Sequence, residues 1–269
     1  MKLILFSGDH PRHLFVNKEV LKYFDDILVI VMQREKLLPI VPSNLSPHDK
    51  KLFEMHFKNR KNVELEVFGD LNAREVFKNY NTIFITSEEL NSKLIADRVK
   101  NFNADFCFIF GADLILDPVI DELPTDKINL HLGLSPWYKG GATLFWPFYH
   151  LEPQYCGSTF HQITKQPDAG EIIHQCVPDL LSGDTIHDVA ARSVVKARDE
   201  LNDIFSYWKK FRKFDGICQK VTGRNWRKVD FHASKLRVIY DLYKDKIVDK
   251  YLSGSLGSRK PKLISCIKK

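Results

Sequence analysis

Short apolar runs separated by amphipathic stretches organise the first two-thirds of the chain. Residues 2–6, Ile27–Met32, Thr82–Ile85 and Asp105–Ala112 read as strands, and the unbroken apolar ones are of the kind buried on both faces. Between them, Leu14–Tyr23 reads as a helix. A second helix opens at Ser46-Pro47 with a capping residue followed by proline and runs to about Arg60. Val63–Phe68 alternates apolar and acidic residues and predicts a further strand, followed by a helical Asp70–Tyr80. A helix over about Ser87–Asn101 carries Leu90, Leu94, Ile95 and Val99 on one face. Pro118–Leu123 predicts a helical turn, Ile128–Leu132 a strand, and Thr143–Leu151 a short aromatic helix. Cys156–Gln162 and Glu171–Cys176 predict two strands bracketing a turn at Asp168, and Thr185-x-x-Asp188 opens a long helix whose apolar spacing lasts to Trp208. Alternating strands and helices predict an α/β fold, a doubly wound, mostly parallel sheet with its binding edge at the carboxyl ends of the strands.

From about Lys213 the pattern changes. Val221–Trp226 reads as a turn, Phe231–Leu252 as an amphipathic helical stretch, and Ser253–Ser258 as a flexible linker to a basic end. The expected organisation is a catalytic domain over 1–212, with its core motifs at 82–190, and a smaller, largely helical basic region over 213–269. Charge sharpens this division. Residues 209–269 hold 18 Lys/Arg against 5 Asp, a net of +13, whereas the upstream chain holds 22 Lys/Arg against 29 Asp/Glu, a net of −7. Such a tail suits an anionic substrate, nucleic acid or a membrane surface, or is a well-solvated face.

No apolar run approaches the roughly 18 residues of a membrane span. Met1–Phe6 is too short for a signal-peptide core, and five scattered cysteines with no Cys-x-x-Cys pair suit reduced thiols in the cytoplasm. The loop Ser7-Gly8-Asp9-His10-Pro11-Arg12-His13 follows the first strand, where Asp9, His10, Arg12 and His13 can reach a ligand. It is not a dinucleotide fingerprint, and His10 and His13 lack a third ligand at recognisable spacing, so no metal is expected. Gly111, ending an apolar strand, lets a flat ligand approach the backbone closely.

The candidate chemistry lies at Asn129 and His131. Two apart on a strand, they project from one face, and a carboxamide donor beside an imidazole equips a site for acyl transfer through an oxyanion. Asp168 adds a carboxylate, although alone it is as well explained as a turn-former before Gly170.

In order, Asn129-x-His131, Leu134-Ser135-Pro136-x-Tyr138-Lys139-Gly140, Gly157-Ser158-Thr159-x-His161 and Asp168-x-Gly170-Glu171-Ile172-Ile173 resemble the signature of the folate-dependent formyltransferases, over about residues 82–190. The resemblance implies transfer of a formyl group from 10-formyltetrahydrofolate to a primary amine, with Asn129, His131 and Asp168 catalytic and no metal. It further implies contacts to the donor at Phe110, Gly111, Ala112, Lys139, Gly140 and Gly141. Asp9, Arg12 and Tyr138 are the expected acceptor contacts. Two departures, His131-Leu132-Gly133-Leu134-Ser135-Pro136 for the usual His-Pro-Ser-Leu-Leu-Pro and Pro167-Asp168-Ala169-Gly170 for Leu-Asp-x-Gly, reshape loops that face the acceptor. Similarity is strongest to the sugar N-formyltransferases, which implies a dTDP- or UDP-linked amino sugar as acceptor in polysaccharide synthesis. A methionyl-tRNA formyltransferase, a phosphoribosylglycinamide formyltransferase, and a silent folate- or nucleic-acid-binding protein are the alternatives. Nucleic acid is disfavoured, a homodimer is left open, and the acceptor's amine position is not specified.

Overall fold

The computed structural model describes residues 1–33, 38–220 and 223–267. Strands β1 (Lys2–Gly8), β2 (Asp26–Met32), β3 (Asn81–Ile85), β4 (Phe106–Phe110) and β5 (Lys127–His131) are mutually parallel. A three-residue strand β6 (Tyr138–Gly140) stands apart, and β7 (Ser158–Gln162) and β8 (Ile172–Cys176) join the main sheet antiparallel. The order β3-β2-β1-β4-β5-β7-β8 reverses direction of winding between β1 and β4, the place where such sheets open a crevice.

Alternation along the strands explains their continuous apolar character. Leu3, Leu5, Val29, Val31, Phe106 and Phe108 face one layer, while Ile4, Phe6, Leu28, Ile30, Cys107 and Ile109 face the other. The first layer is helical: α1 (Pro11–Val20), α2 (Pro47–Phe68), α6 (Ile186–Asp199) and α7 (Leu201–Phe211), with α3 (Ala73–Val76) a single turn beside them. On the opposite face lies α4 (Lys93–Phe102). A buried Leu, Ile or Phe contributes about 1.5–3 kcal/mol, so a sheet covered on both sides is a stable platform. The remaining helices are α5 (Trp146–Tyr149) and α8 (Ile247–Leu252).

Several predicted elements are corrected. Val63–Phe68 is the last part of α2 and not a strand; the helix continues to Phe68 and ends at Gly69. Nothing between Pro47 and Gly69 breaks a helix, and Phe53, Phe57, Arg60, Glu64 and Phe68 keep helical spacing, which outweighs a five-residue alternation. The helix predicted from Ser87 begins at Lys93, where the Ser92 hydroxyl accepts from Ile95 N–H. Leu94 is consequently 68% exposed while Ile95 and Val99 are buried. The Thr185/Asp188 capping box is present, and the long helix is divided at Glu200 into α6 and α7.

In the C-terminal segment, Arg224–Trp226 forms β9, paired parallel with β6; Val221 and Thr222, part of the predicted turn, lie outside the described residues. The helical stretch after Phe231 is broken into short turns because Lys244 and Asp245 adopt positive φ, and Asp245 turns its carboxylate to cap Ile186 N–H of α6 at 3.1 Å. Ser253–Ser258 is not an open linker: Ser253, Gly254 and Ser255 N–H bond back to Asp249, Tyr251 and Lys250 carbonyls. The basic end then returns to the sheet, where Cys266 N–H donates to Ile173 O at 2.8 Å. Ala233, Leu236, Ile239, Ile247 and Val248 share one apolar cluster with Phe53, Trp146 and Ile186.

Candidate active site

Strand β5 delivers Asn129 and His131 to its carboxyl end, on one wall of a cavity of about 1170 Å³. The antiparallel neighbour β7 sets His161 directly opposite Asn129. The turn after β7 then carries Asp168 over both histidines. Its carboxylate Oδ1 lies 3.6 Å from His131 Nδ1 and 3.4 Å from His161 Nε2, and its Oδ2 accepts from Gly140 N–H at 3.0 Å.

Backbone carbonyls determine the tautomers, because a carbonyl only accepts. His131 Nε2 lies 3.1 Å from Tyr138 O and therefore carries a proton; His161 Nδ1 lies 2.8 Å from Gln162 O and does the same. Neutral His131 thus turns a lone pair at Nδ1 toward Asp168. Asn129 Nδ2 donates to His161 Nε2 at 3.1 Å, which uses one of its two N–H bonds. Burial lowers the pKa of His131, partly opposed by the nearby Asp168 charge. For Asp168 burial acts upward, yet His131, His161 and the Gly140 N–H hold the carboxyl well below its ordinary value. The site thus sets one carboxylate oxygen within 3.6 Å of both imidazoles, a geometry in which a proton taken up by His131 at Nδ1 meets a carboxylate.

The predicted triad is therefore one cluster. Phe110, Gly111, Ala112, Gly140, Gly141 and Arg12 line the same cavity. Gly111 has a φ of +92°, and a Cβ there would collide with the His13 ring, so packing on His13 requires the glycine in addition to any close ligand approach. Tyr138 does not face the cavity: its ring is buried and its hydroxyl donates to Glu152 at 2.5 Å, while its carbonyl serves His131. Lys139 and Asp9 also fall outside the cavity lining.

Sequence reasoning assigned no role to His161, Gln219, Arg60 or Glu64. Gln219 donates to Asp168 O and Gly170 O, both at 2.8 Å, and Gly141 N–H donates to Trp226 O at 2.6 Å, so the C-terminal segment braces the Asp168 turn and the Gly-rich loop. In the sequence His161 stood only as a member of the motif Gly157-Ser158-Thr159-x-His161, with no role attached. Among the described residues no cluster of three or more His, Cys, Asp or Glu forms a metal site, and no helix is long and apolar enough to cross a membrane.

The fold is that of a formyl-transferring enzyme. A formyl transferase family model matches residues 51–201, more than half of the chain, and the protein belongs to that family. Among similar solved structures is a sugar N-formyltransferase from Shewanella sp., at 16% identity over 86% of this chain and 78% of that chain, with a TM-score of 0.56. The N-formyltransferase of Helicobacter canadensis, solved with folinic acid and dTDP-3-aminofucose, matches at 16% identity over 93% of this chain and 82% of that one, TM-score 0.53. Glycinamide ribonucleotide transformylase 1 from Symbiobacterium toebii matches at 16% identity over 81% and 92%, TM-score 0.53. At these identities the shared property is the fold.

Proposed function

We propose that the protein is a cytoplasmic N-formyltransferase that moves the formyl group of 10-formyltetrahydrofolate to the primary amine of a nucleotide-linked amino sugar, with Asn129, His131 and Asp168 as its catalytic residues. The observation that carries the reading is the placement of Asp168 Oδ1 3.6 Å from His131 Nδ1, beside a carboxamide with a donor to spare.

Transfer forms a C–N bond to the acceptor amine, breaks the C–N bond of the donor, and moves one proton from the first nitrogen to the second. The donor supplies the activated formyl carbon. The slot at Phe110–Ala112, with Ile115 and Ile163 nearby, offers apolar side chains and strand-end backbone, which suit a flat ring edged with hydrogen-bonding groups. Asn129 donates its second N–H to the oxygen as charge develops there. His131 accepts the amine proton at Nδ1, and Asp168 stabilises the imidazolium by sharing that proton. Gly140 N–H holds the carboxylate, and Gln219 the main chain of the same turn, while it does so. The sugar acceptor is supported by the likeness to a sugar N-formyltransferase and to an N-formyltransferase solved with dTDP-3-aminofucose, and the cytoplasmic setting by five free thiols.

The test is release of tetrahydrofolate from 10-formyltetrahydrofolate with a panel of amines. Turnover with at least one dTDP- or UDP-linked aminodeoxyhexose is expected. Turnover with glycinamide ribonucleotide or charged initiator tRNA alone would replace the acceptor; no turnover with any amine would remove the reaction.

A further inference from the structure

The cavity extends beyond the catalytic cluster to a wing between α1, α2 and α6, lined by Arg12, His56, Arg60, Glu64 and His187. On α2, His56, Arg60 and Glu64 follow one another at four-residue steps and so occupy one face. Arg12, in the first turn of α1, pairs with Glu64 Oε1, and Arg60 Nε lies 3.8 Å from the same oxygen. Arg60 also covers the Phe57 ring at 4.7 Å.

Two guanidinium groups thus share one carboxylate at side-chain exposures of 18%, 27% and 14% for Arg12, Arg60 and Glu64. Among the described residues one positive charge is left without a carboxylate in a largely desolvated wall, where it is costly without an anion. Burial, with the charge of Arg12, lowers Arg60 to about 10, so it stays protonated at neutral pH. The two neighbouring imidazoles supply no negative charge. Burial lowers the pKa of both, with Arg60 adding to the effect, and His56 Nδ1 is hydrogen-bonded to the Tyr240 hydroxyl at 2.8 Å.

We infer that Arg12 and Arg60 form an anion subsite for a phosphate group of the amine acceptor, with Glu64 as a built-in competitor that bridges the two guanidiniums until the anion arrives. The inference rests on the formyl-transfer reading for the identity of the ligand as acceptor, but the subsite itself is independent of it. A guanidinium pair offers parallel N–H donors that match phosphate oxygens bidentately. Enclosure in the wing selects a small phosphorylated molecule, a nucleoside diphosphate moiety above all, over a polynucleotide backbone, whose phosphates bind exposed basic surfaces in number.

The experiment is calorimetric titration of the full chain with inorganic pyrophosphate, UDP and a short single-stranded RNA, each without folate. Wild type should bind pyrophosphate and UDP competitively. Arg60→Gln should weaken both at least about tenfold, and Glu64→Gln should tighten both at least about threefold, because it removes the competitor. Failure of wild type to bind either at millimolar concentration, or pyrophosphate affinity unchanged in a folded Arg60→Gln, would overturn the subsite. If Arg60→Gln does not fold, Glu64→Gln decides: equal or weaker pyrophosphate binding rejects the inference. RNA that displaces pyrophosphate at a lower concentration than UDP also rejects it. Folinic acid titrated in parallel separates the two readings, since its failure to bind removes the formyl donor while pyrophosphate binding still decides the subsite.

Discussion

Gln219 donates its side-chain amide to the main-chain carbonyl of Asp168 at 2.8 Å, so a residue from the C-terminal segment holds the backbone whose carboxylate faces His131. Asp168 has a φ of +48°, a left-handed conformation that costs a residue other than glycine about 1 kcal/mol or more unless its surroundings hold it. Gln219→Ala should lower kcat about tenfold, reduce stability by about 1–3 kcal/mol for the buried carbonyls left unpaired, and shift the acid limb of the kcat profile. A folded variant with unchanged kcat and an unmoved pH profile would leave Gln219 with a structural role only.

The His131–Asp168 pair gives a signed pH dependence. Burial keeps His131 neutral below the ordinary imidazole value of about 6.5, so the base form and the rate should persist below that pH on the acid side. The Asp168 charge acts upward on His131; Asp168→Asn should therefore push the acid limb lower still, while kcat falls about 10²–10³. Stopped assays from pH 5 to 9 measure both effects, and an acid limb that rises in Asp168→Asn contradicts the pairing.

Asn129 and His161 should differ in weight. Asn129→Ala removes the donor to the developing charge and should cost about 10²–10³ in kcat. His161→Ala removes only the acceptor that orients the Asn129 amide, together with one neighbour of Asp168, and about tenfold is expected. Single-turnover kinetics at saturating substrates compare the two, and a loss at His161 exceeding that at Asn129 would reverse their roles.

Gly140 has a φ of +87°, and a Cβ there would collide with the Trp226 carbonyl. Gly140→Ala should separate β6 from β9, weaken the N–H bond to Asp168, and lower kcat more than it lowers the affinity for folinic acid. Equal losses in both would point to general collapse of the loop.

Stability should fall on mild acidification. Burial holds His56 well below its ordinary value and His187 at about 4 in the folded chain. Unfolded, both take up protons near 6.5, so the unfolded state binds more protons across the window from about 6.5 down to about 4. The apparent Tm should be flat from pH 8 to 7 and drop between pH 6.5 and 4; a flat Tm through that window would mean that these histidines are accessible to protons in the native state.

The strands were the most legible part of the sequence, because a sheet covered on both faces writes unbroken apolar runs such as Ile27–Met32. Helix phase was less so: Leu94 fits a stripe with Leu90 only if Leu90 is helical, and the Ser92 cap starts the helix two residues too late for that. Reading Val63–Phe68 as a strand hid Glu64, and with it the Arg12–Arg60 arrangement. That Asn129 and His131 share a face was legible from their spacing, whereas Asp168 joined them only through the family resemblance. His161 was legible as a motif residue but its role was not, since its place opposite Asn129 depends on an antiparallel register that local sequence does not specify. Gln219 acts from 51 residues beyond Asp168, a separation that no local pattern reports.

That separation has a consequence in time. The last strand of the seven-stranded sheet is synthesised by Cys176, whereas Gln219 and Trp226, which brace the Asp168 turn and the Gly-rich loop, follow more than 40 residues later. At roughly 5–20 residues per second a ribosome holds the chain in this intermediate condition for some seconds. A nascent chain therefore has the strands of its sheet before it has the residues that brace the Asp168 turn and the Gly-rich loop.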